Sequence, residues 1–262
     1  MEPVFLGGDI LGTCWKDEDV SKKFNLYNDM LENILGFNYI FQNLKSNESI
    51  KKILDFGCGP GKVAERMAKI KPESQIIAVD QSKNMLDIAM KEHNKENITY
   101  QLIEQNQLKG IEKNSIDCVV LCFVIINNSD KDRIKTIFQE IFRVLKKGGK
   151  FFILDSNPNA AGVEFSTFTN GKSGQAYHLG DHKKQFLKIP NNEVLILEDY
   201  YWSTDFYINN LEAVGFENYK IVEPTIEKIN KHELNAIEKT YEIKDWGSEK
   251  NKPPFIIFDV EK

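Results

Sequence analysis

The chain has 262 residues, enough to bury a full core as one large domain or as one domain with a cap. A net charge of −5 and only three arginines, at 66, 133 and 143, argue against a nucleic-acid partner, which needs a basic face and bidentate readers. The four cysteines (14, 58, 118, 122) form no CxxC pair, the opening "MEPVFLGGDILGTCWKDEDV" has no basic run leading into an apolar one, and no apolar stretch is of membrane-spanning length; the expectation is a cytoplasmic protein with no membrane partner.

Taken in chain order, residues 1–48 read as a mostly helical cap, with Tyr27, Met30, Leu31, Ile34 and Leu35 at helical spacing. A first strand over Ile53-Leu54-Asp55-Phe56 runs into three closely spaced glycines and then a helix with Val63, Met67 and Ile70 on one face. "QIIAVD" (75–80) is a second strand, and Ser82 caps a helix whose Met85, Leu86, Ala89 and Met90 share a face. "NITYQLIE" (97–104) and "DCVVLCFVI" (117–125) read as strands three and four. Asp130 caps a helix striped by Ile134, Ile137, Phe138, Ile141, Phe142 and Leu145, with Gly148-Gly149 closing it and "KFFILD" (150–155) as strand five. Strands alternating with helices in this way predict a doubly wound, mostly parallel sheet covered on both faces.

The alternation then breaks. Residues 157–192 hold four glycines and several aromatics without a sustained period, which points to a functional segment. "KQFLKIPNNEVLILEDYYW" reads as a hairpin turning at Pro190-Asn191-Asn192. A helix capped by Ser203 and stopped at Gly215 follows, then strands near 219–224 and 254–261. The organisation expected is a cap over 1–48, a main domain over 49–262, and an insertion over 157–200 covering the active site.

The glycine loop carries the chemistry. It lies where open α/β sheets bind ligands, beyond the carboxyl end of a strand, and bare backbone beside a helix N-terminus suits a carboxyl or phosphate group. A dinucleotide fingerprint spaces its glycines GxGxxG; here Asp55-x-Gly57-x-Gly59-x-Gly61 brings the third one residue early. This loop resembles motif I of the class I S-adenosylmethionine-dependent methyltransferases. Three further segments resemble that family in order: Asp80, 23 residues after Gly57; Ile116-Asp117-Cys118-Val119-Val120; and Arg143-Val144-Leu145-Lys146-Lys147-Gly148-Gly149. The last strand fits the antiparallel strand seven of that Rossmann-like seven-stranded sheet.

The resemblance implies S-adenosyl-L-methionine as cofactor and methyl transfer to an O, N or C atom; the aromatic residues of the cap and the insertion suggest a small, partly apolar or aromatic acceptor. It implies that Gly57, Cys58 and Gly59 pass under the methionine moiety, with Gly61 completing the loop. Asp55 orders that loop and faces the ammonium, and Asp80 binds the ribose. Gln81 and Met85 lie beside the adenine, with Glu104-Gln105 at its amino group. Leu121, Cys122 and Phe123 line the methyl side, and Tyr27 closes over the cofactor carboxylate. Alternatives are a non-catalytic S-adenosylmethionine-binding regulatory protein and a nicotinamide-dependent oxidoreductase.

Methyl transfer needs alignment first, and a general base only for some acceptors. His178 and His182 rank first as that base, because imidazole titrates near neutrality, ahead of Asp181 and Glu164. "HLGDH" is half of a metal site at best, since Gly180 makes it a loop, and no metal is expected. Cys58 and Cys122 read as small hydrophobes, and the lysines across 183–188 as a solvated face.

Overall fold

A computed structural model describes Thr13 and residues 17–262; Cys14 and most of the opening segment lie outside the described residues. Seven strands form the main sheet: β1 (Lys52–Phe56), β2 (Gln75–Asp80), β3 (Ile98–Leu102), β4 (Ile116–Cys122), β5 (Leu145–Ser156), β10 (Asn218–Val222) and β11 (Phe255–Glu261). Their spatial order is β10-β11-β5-β4-β1-β2-β3, with β11 antiparallel to both neighbours and the other six running in one direction. This is the Rossmann-like arrangement expected from the sequence. Order reverses between β1 and β4, so the carboxyl ends of those two strands open a crevice at the switch point.

Period-two alternation splits the core into two layers, one on each face of this sheet. Leu54, Phe56, Val79, Leu121 and Ile153 pack with α6 (Lys131–Val144) and α7 (Thr204–Val214). Ile53, Ala78, Val120, Phe152 and Leu154 pack with α4 (Lys62–Ile70), α5 (Lys83–Glu92) and the N-terminal helices. Asp130 caps α6 through the Asp132 and Arg133 N–H groups, Ser82 caps α5 and Ser203 caps α7, as their positions before apolar stripes predict. The helix after Asp130 ends earlier than Gly148-Gly149 implies. It stops at Val144, and β5 begins at Leu145, because the chain is drawn into register with Ile116.

The acid of the Ile116–Val120 segment is architectural. Asp117 accepts from the Lys51 and Lys52 N–H groups (3.0 and 2.8 Å) and from Lys146 Nζ (2.6 Å), at the amino end of the sheet. Burial raises its carboxyl pKa, but these bonds hold it below the usual range.

Two further parts cover the carboxyl ends. The first comprises α1 (Glu18–Leu26), α2 (Met30–Glu32), a π-helical turn (Asn33–Phe37) and α3 (Asn38–Ser46). The second is a four-stranded antiparallel sheet in the order β6 (Val163–Glu164), β7 (Phe168–Asn170), β8 (His182–Ile189), β9 (Glu193–Tyr200). The hairpin turning at 190–192 is β8–β9. Its inner face carries Leu187, Ile189, Leu195 and Leu197 into the same core as the N-terminal helices. Sequence reading missed α8 (Lys231–Thr240), a surface helix none of whose residues is fully buried.

Candidate active site

Between the carboxyl ends of β1, β2 and β4, the N-terminal helices and the second sheet lies a cavity of about 530 Å³, inside the roughly 300–1,000 Å³ span of small-molecule sites. The loop after β1 forms its floor. The Gly57 and Cys58 N–H groups both donate to Val79 O (2.8 and 3.0 Å), which folds the loop back onto β2. Gly57 has φ +75°, and a Cβ there would come within 2.4 Å of Val124 Cγ2. Gly59 has φ +52°, yet a Cβ there would meet nothing within 4 Å. The first glycine is required by packing; the second leaves open space above bare backbone. Gly61 does not line the cavity: it lets α4 approach Tyr100 and Ala89.

Asp80, at the end of β2, accepts from Gly59 N–H (2.8 Å) and Ser82 N–H (2.7 Å), so it ties the loop to the cap of α5 and still lines the cavity. Asp55 is fully enclosed, and its Oδ2 has no hydrogen-bond partner among the described residues. Burial, reinforced by the Asp80 charge, pushes its carboxyl up to about 7. A carboxylate held this way is stabilised by a donor or cation entering the cavity.

Beyond β2, Gln81 and Met85 line the cavity. Gln81 accepts from Arg133 Nη2 (2.5 Å) and donates to Asn106 Oδ1. Glu104 and Gln105 do not reach this wall. Gln105 and Asn106 take positive φ values after β3, and the resulting turn exposes Glu104 and Gln105 while burying Asn106. Ile103 and Asn106 therefore occupy the place expected of Glu104-Gln105, and Asn106 Nδ2 has no partner among the described residues.

At β4, Cys122 and Phe123 line the cavity, whereas Leu121 points into the opposite core layer, because successive strand residues face opposite ways. Phe123 has φ +56°, a costly conformation for a bulky residue, held by its N–H to Leu154 O (2.8 Å). Its ring meets Phe37 and Phe255 edge-on at 6.4 and 5.7 Å, and all three line the cavity. Burial raises the Cys58 and Cys122 thiols well above their ordinary range, which suits small apolar side chains rather than nucleophiles. Asn127 and Asn128, just beyond, also border the cavity.

From the N-terminal part, Tyr27 donates to Glu32 Oε1 (2.8 Å) and lies 3.0 Å from Thr167 Oγ1, so one phenol joins the N-terminal helices to the insertion. Burial raises Glu32 to about 8. Glu32 precedes the π turn, a feature that recurs at functional sites because it re-aims side chains.

His178 and His182 lie outside the cavity. His178 is exposed in a turn 3.4 Å from Asp181; His182 Nε2 sits 2.5 Å from Glu198 Oε2, on the outer face of β8–β9. The strand parity that places His182 outward turns Lys183 inward, contrary to a solvated stretch over 183–188. Lys183 is 2% exposed, and only Lys184 and Lys188 of those lysines face solvent. Asp199, its cross-strand partner in the ladder, is likewise buried and lines the cavity with Gln185. Neither Gln185 nor Asp199 was expected at the site, and Lys183 stands behind them without lining the cavity.

A model of a methyltransferase domain matches residues 53–149. The chain is 32% identical over 191 residues to N-demethylindolmycin N-methyltransferase of Streptomyces griseus, covering 71% of this chain and 80% of that protein. The chain belongs to the class I S-adenosylmethionine-dependent methyltransferases. It is also 32% identical over 146 residues to a ubiquinone/menaquinone biosynthesis C-methyltransferase of Wigglesworthia glossinidia brevipalpis, spanning 52% of this chain and 56% of that one. Its fold resembles that of an S-adenosylmethionine-dependent methyltransferase from Mesorhizobium loti (TM-score 0.57, 15% identity, 86% and 96% of the two chains).

The residues present fit the cofactor of this methyltransferase family. The open space over Gly59 admits an amino-acid tail, the unpartnered Asp55 Oδ2 suits an ammonium, and Asp80 retains lone pairs for sugar hydroxyls. Among the described residues no helix is long and apolar enough to cross a membrane.

Proposed function

We propose that this methyltransferase acts on a small, partly apolar or aromatic metabolite enclosed by the N-terminal helices and the second sheet. S-adenosylmethionine, when bound, supplies a methyl group on a positively charged sulfur that leaves readily. The work left to the chain is alignment, exclusion of water and, for a protonated acceptor, removal of a proton.

In this reading Gly57, Cys58 and Gly59 carry the methionine part on their backbone, Asp55 holds the ammonium and Asp80 the ribose. Gln81, Met85, Ile103 and Asn106 flank the adenine, with Arg133 bracing Gln81 from the rim. Cys122 and Phe123 border the reacting end, where the Phe123 ring restricts the approach of the acceptor. Tyr27 and Glu32 close the methionine side. The observation that carries the assignment is the pairing of the vacant volume over Gly59 with the unpartnered oxygen of Asp55, two features that an amino-acid tail satisfies together. The aromatic lining of Phe37, Phe123 and Phe255, and the small-molecule names of the Streptomyces and Wigglesworthia relatives, support the acceptor class.

Thermal-shift titration tests the reading. S-adenosylmethionine and S-adenosylhomocysteine are expected to raise the melting temperature and NAD to leave it unchanged; stabilisation by NAD alone would overturn it. Release of S-adenosylhomocysteine in the presence of a metabolite pool separates an enzyme from a binding protein, which would retain the cofactor without turnover.

A further inference from the structure

The inner face of β8–β9 changes character along its length. Leu187, Ile189, Leu195 and Leu197 are apolar, but Lys183, Gln185 and Asp199 occupy equivalent inward positions at the other end. Charged groups at core positions are costly unless every polar atom is matched. Most of this cluster is matched. Lys183 Nζ contacts Asn170 Oδ1 and Ser156 Oγ (3.3 Å), and Asp155 accepts from Tyr207 Oη (2.8 Å) and the Ser156 N–H (3.2 Å). Gln185 Nε2 donates to Asp199 Oδ2 (2.5 Å). Asp199 Oδ1 has no partner among the described residues, although its residue is wholly buried and lines the cavity.

We propose that Asp199, steadied by Gln185, is the acceptor-recognition carboxylate and that the acceptor presents to it a planar nitrogen carrying a hydrogen, as in an amidine, an amine on a ring or an N-heterocycle. The proposal rests on the methyltransferase reading and deepens it. An ionised carboxylate only accepts hydrogen bonds, so its missing partner is a donor.

Charge favours nitrogen over a neutral hydroxyl. Burial leaves Glu32 mostly protonated at neutral pH, but Asp29, Asp55, Asp80 and Asp199 still line the cavity against Lys62 and Arg133, and Arg133 is committed to Gln81. In the buried cluster one ammonium, Lys183, faces two carboxyl groups, Asp155 and Asp199. The Phe123 and Phe255 rings on the same cavity favour a flat cation further. In the transfer, a nitrogen–carbon bond forms as the sulfur–carbon bond breaks, sulfur keeping the electron pair, and the nitrogen's proton passes to Asp199. Burial pushes this carboxyl up to about 7, against the pull of Lys183, which suits it to take a proton at neutral pH.

The test uses the full chain saturated with S-adenosylhomocysteine, titrated calorimetrically with benzamidine and with benzyl alcohol, its neutral counterpart in size. Benzamidine is expected to bind at least about tenfold more tightly. Asp199→Asn is expected to erase that preference while changing S-adenosylhomocysteine affinity less than about twofold. In the unsubstituted protein, benzamidine binding is expected to weaken from pH 8 to pH 5.5 as Asp199 takes a proton. Lys183 on β8, Asp155 on β5, Tyr207 on α7 and Glu198 on β9 are the groups around it in that titration. Equal binding of the two probes, a preference that survives Asp199→Asn, or a pH-independent preference would overturn the proposal. Glu32 and Asp55 on the same cavity titrate in this range as well, so if Asp199→Asn does not fold, Asp199→Ser takes its place in the comparison of the two probes. Failure of the unsubstituted chain to bind S-adenosylhomocysteine would instead overturn the reading beneath it.

Discussion

The loop after β1 and the β8–β9 hairpin face one cavity and bring it different chemistry. The loop works with main chain: glycines at positive φ, N–H groups turned onto Val79 and Asp80, and one carboxylate behind them. The hairpin works with side chains, setting Lys183, Gln185 and Asp199 at positions where Leu187 and Leu197 show that apolar residues also fit. Backbone recognition depends on a few spacings and tolerates no added atom at Gly57. Side-chain chemistry on a strand is changed by single substitutions that leave the backbone ladder in place, at a cost in stability where a buried charge loses its partner. One half of the cavity is therefore constrained by main-chain packing and the other by side-chain pairing.

Substitutions that separate the halves sharpen this contrast. The largest effect is expected from Gly57→Ala, where the strained φ costs about 1–2 kcal/mol and the Cβ collides with Val124. Cofactor affinity is expected to fall by more than about 100-fold in calorimetry, with a lowered melting temperature. Asp80→Ala should weaken cofactor binding by more than about tenfold by removing the Gly59 tether and the proposed ribose acceptor. Lys183→Ala acts in the other half. Leaving Asp155 and Asp199 buried without their ammonium should destabilise the fold by about 3 kcal/mol in urea unfolding, with cofactor affinity little changed. A large loss of cofactor affinity in Lys183→Ala would break the separation. Smallest of all, His178→Ala and His182→Ala should keep turnover within about twofold, since neither side chain reaches the cavity.

The pH dependence follows from the same groups. Burial raises Asp55, Asp155 and Asp199 to about 7 and Glu32 to about 8 in the folded chain. Between the unfolded carboxyl range near 4 and those values, the folded chain holds protons that the unfolded chain has released. Stability without ligand is therefore expected to fall as pH rises from about 5 to 8, the reverse of a salt-bridged carboxylate. Glu65, lowered to about 2 by His93 and Lys69, works the other way, but its contribution is lost only in stronger acid. Urea unfolding across pH 5–8 measures the slope. Saturating S-adenosylhomocysteine should flatten it, because an ammonium at Asp55 favours the ionised form.

The two halves were also unequally legible in the sequence. The main sheet follows from strand–helix alternation, and the loop from four segments whose order and spacing survive in one dimension. Glu104-Gln105 misled because a positive-φ turn after β3 carries Asn106 into the position that simple counting gives its neighbours. Leu121 misled through strand parity, which could have been counted: Cys122 and Phe123 flank the opening, and Leu121 takes the other face. The same parity held the signal for the hairpin. With Leu187 and Ile189 inward, Gln185 and Lys183 must follow, yet lysine reads as solvent-facing when composition outweighs period. The histidines attracted attention for their titration range, which says nothing of direction. Glu32 gave no signal, since its burial depends on the π turn and on Tyr27 reaching Thr167 across 140 positions of chain.

Gly36 lies within that π turn, and a methyl group there would meet Leu154 of β5 at 2.8 Å. The N-terminal helices thus seat on the main sheet, at this point, through a single hydrogen atom. A methyl group at residue 36 has to displace the Leu154 side chain or lift the helices that carry Tyr27 and Glu32, so the docking of the whole N-terminal part is sensitive to one position that touches no polar group.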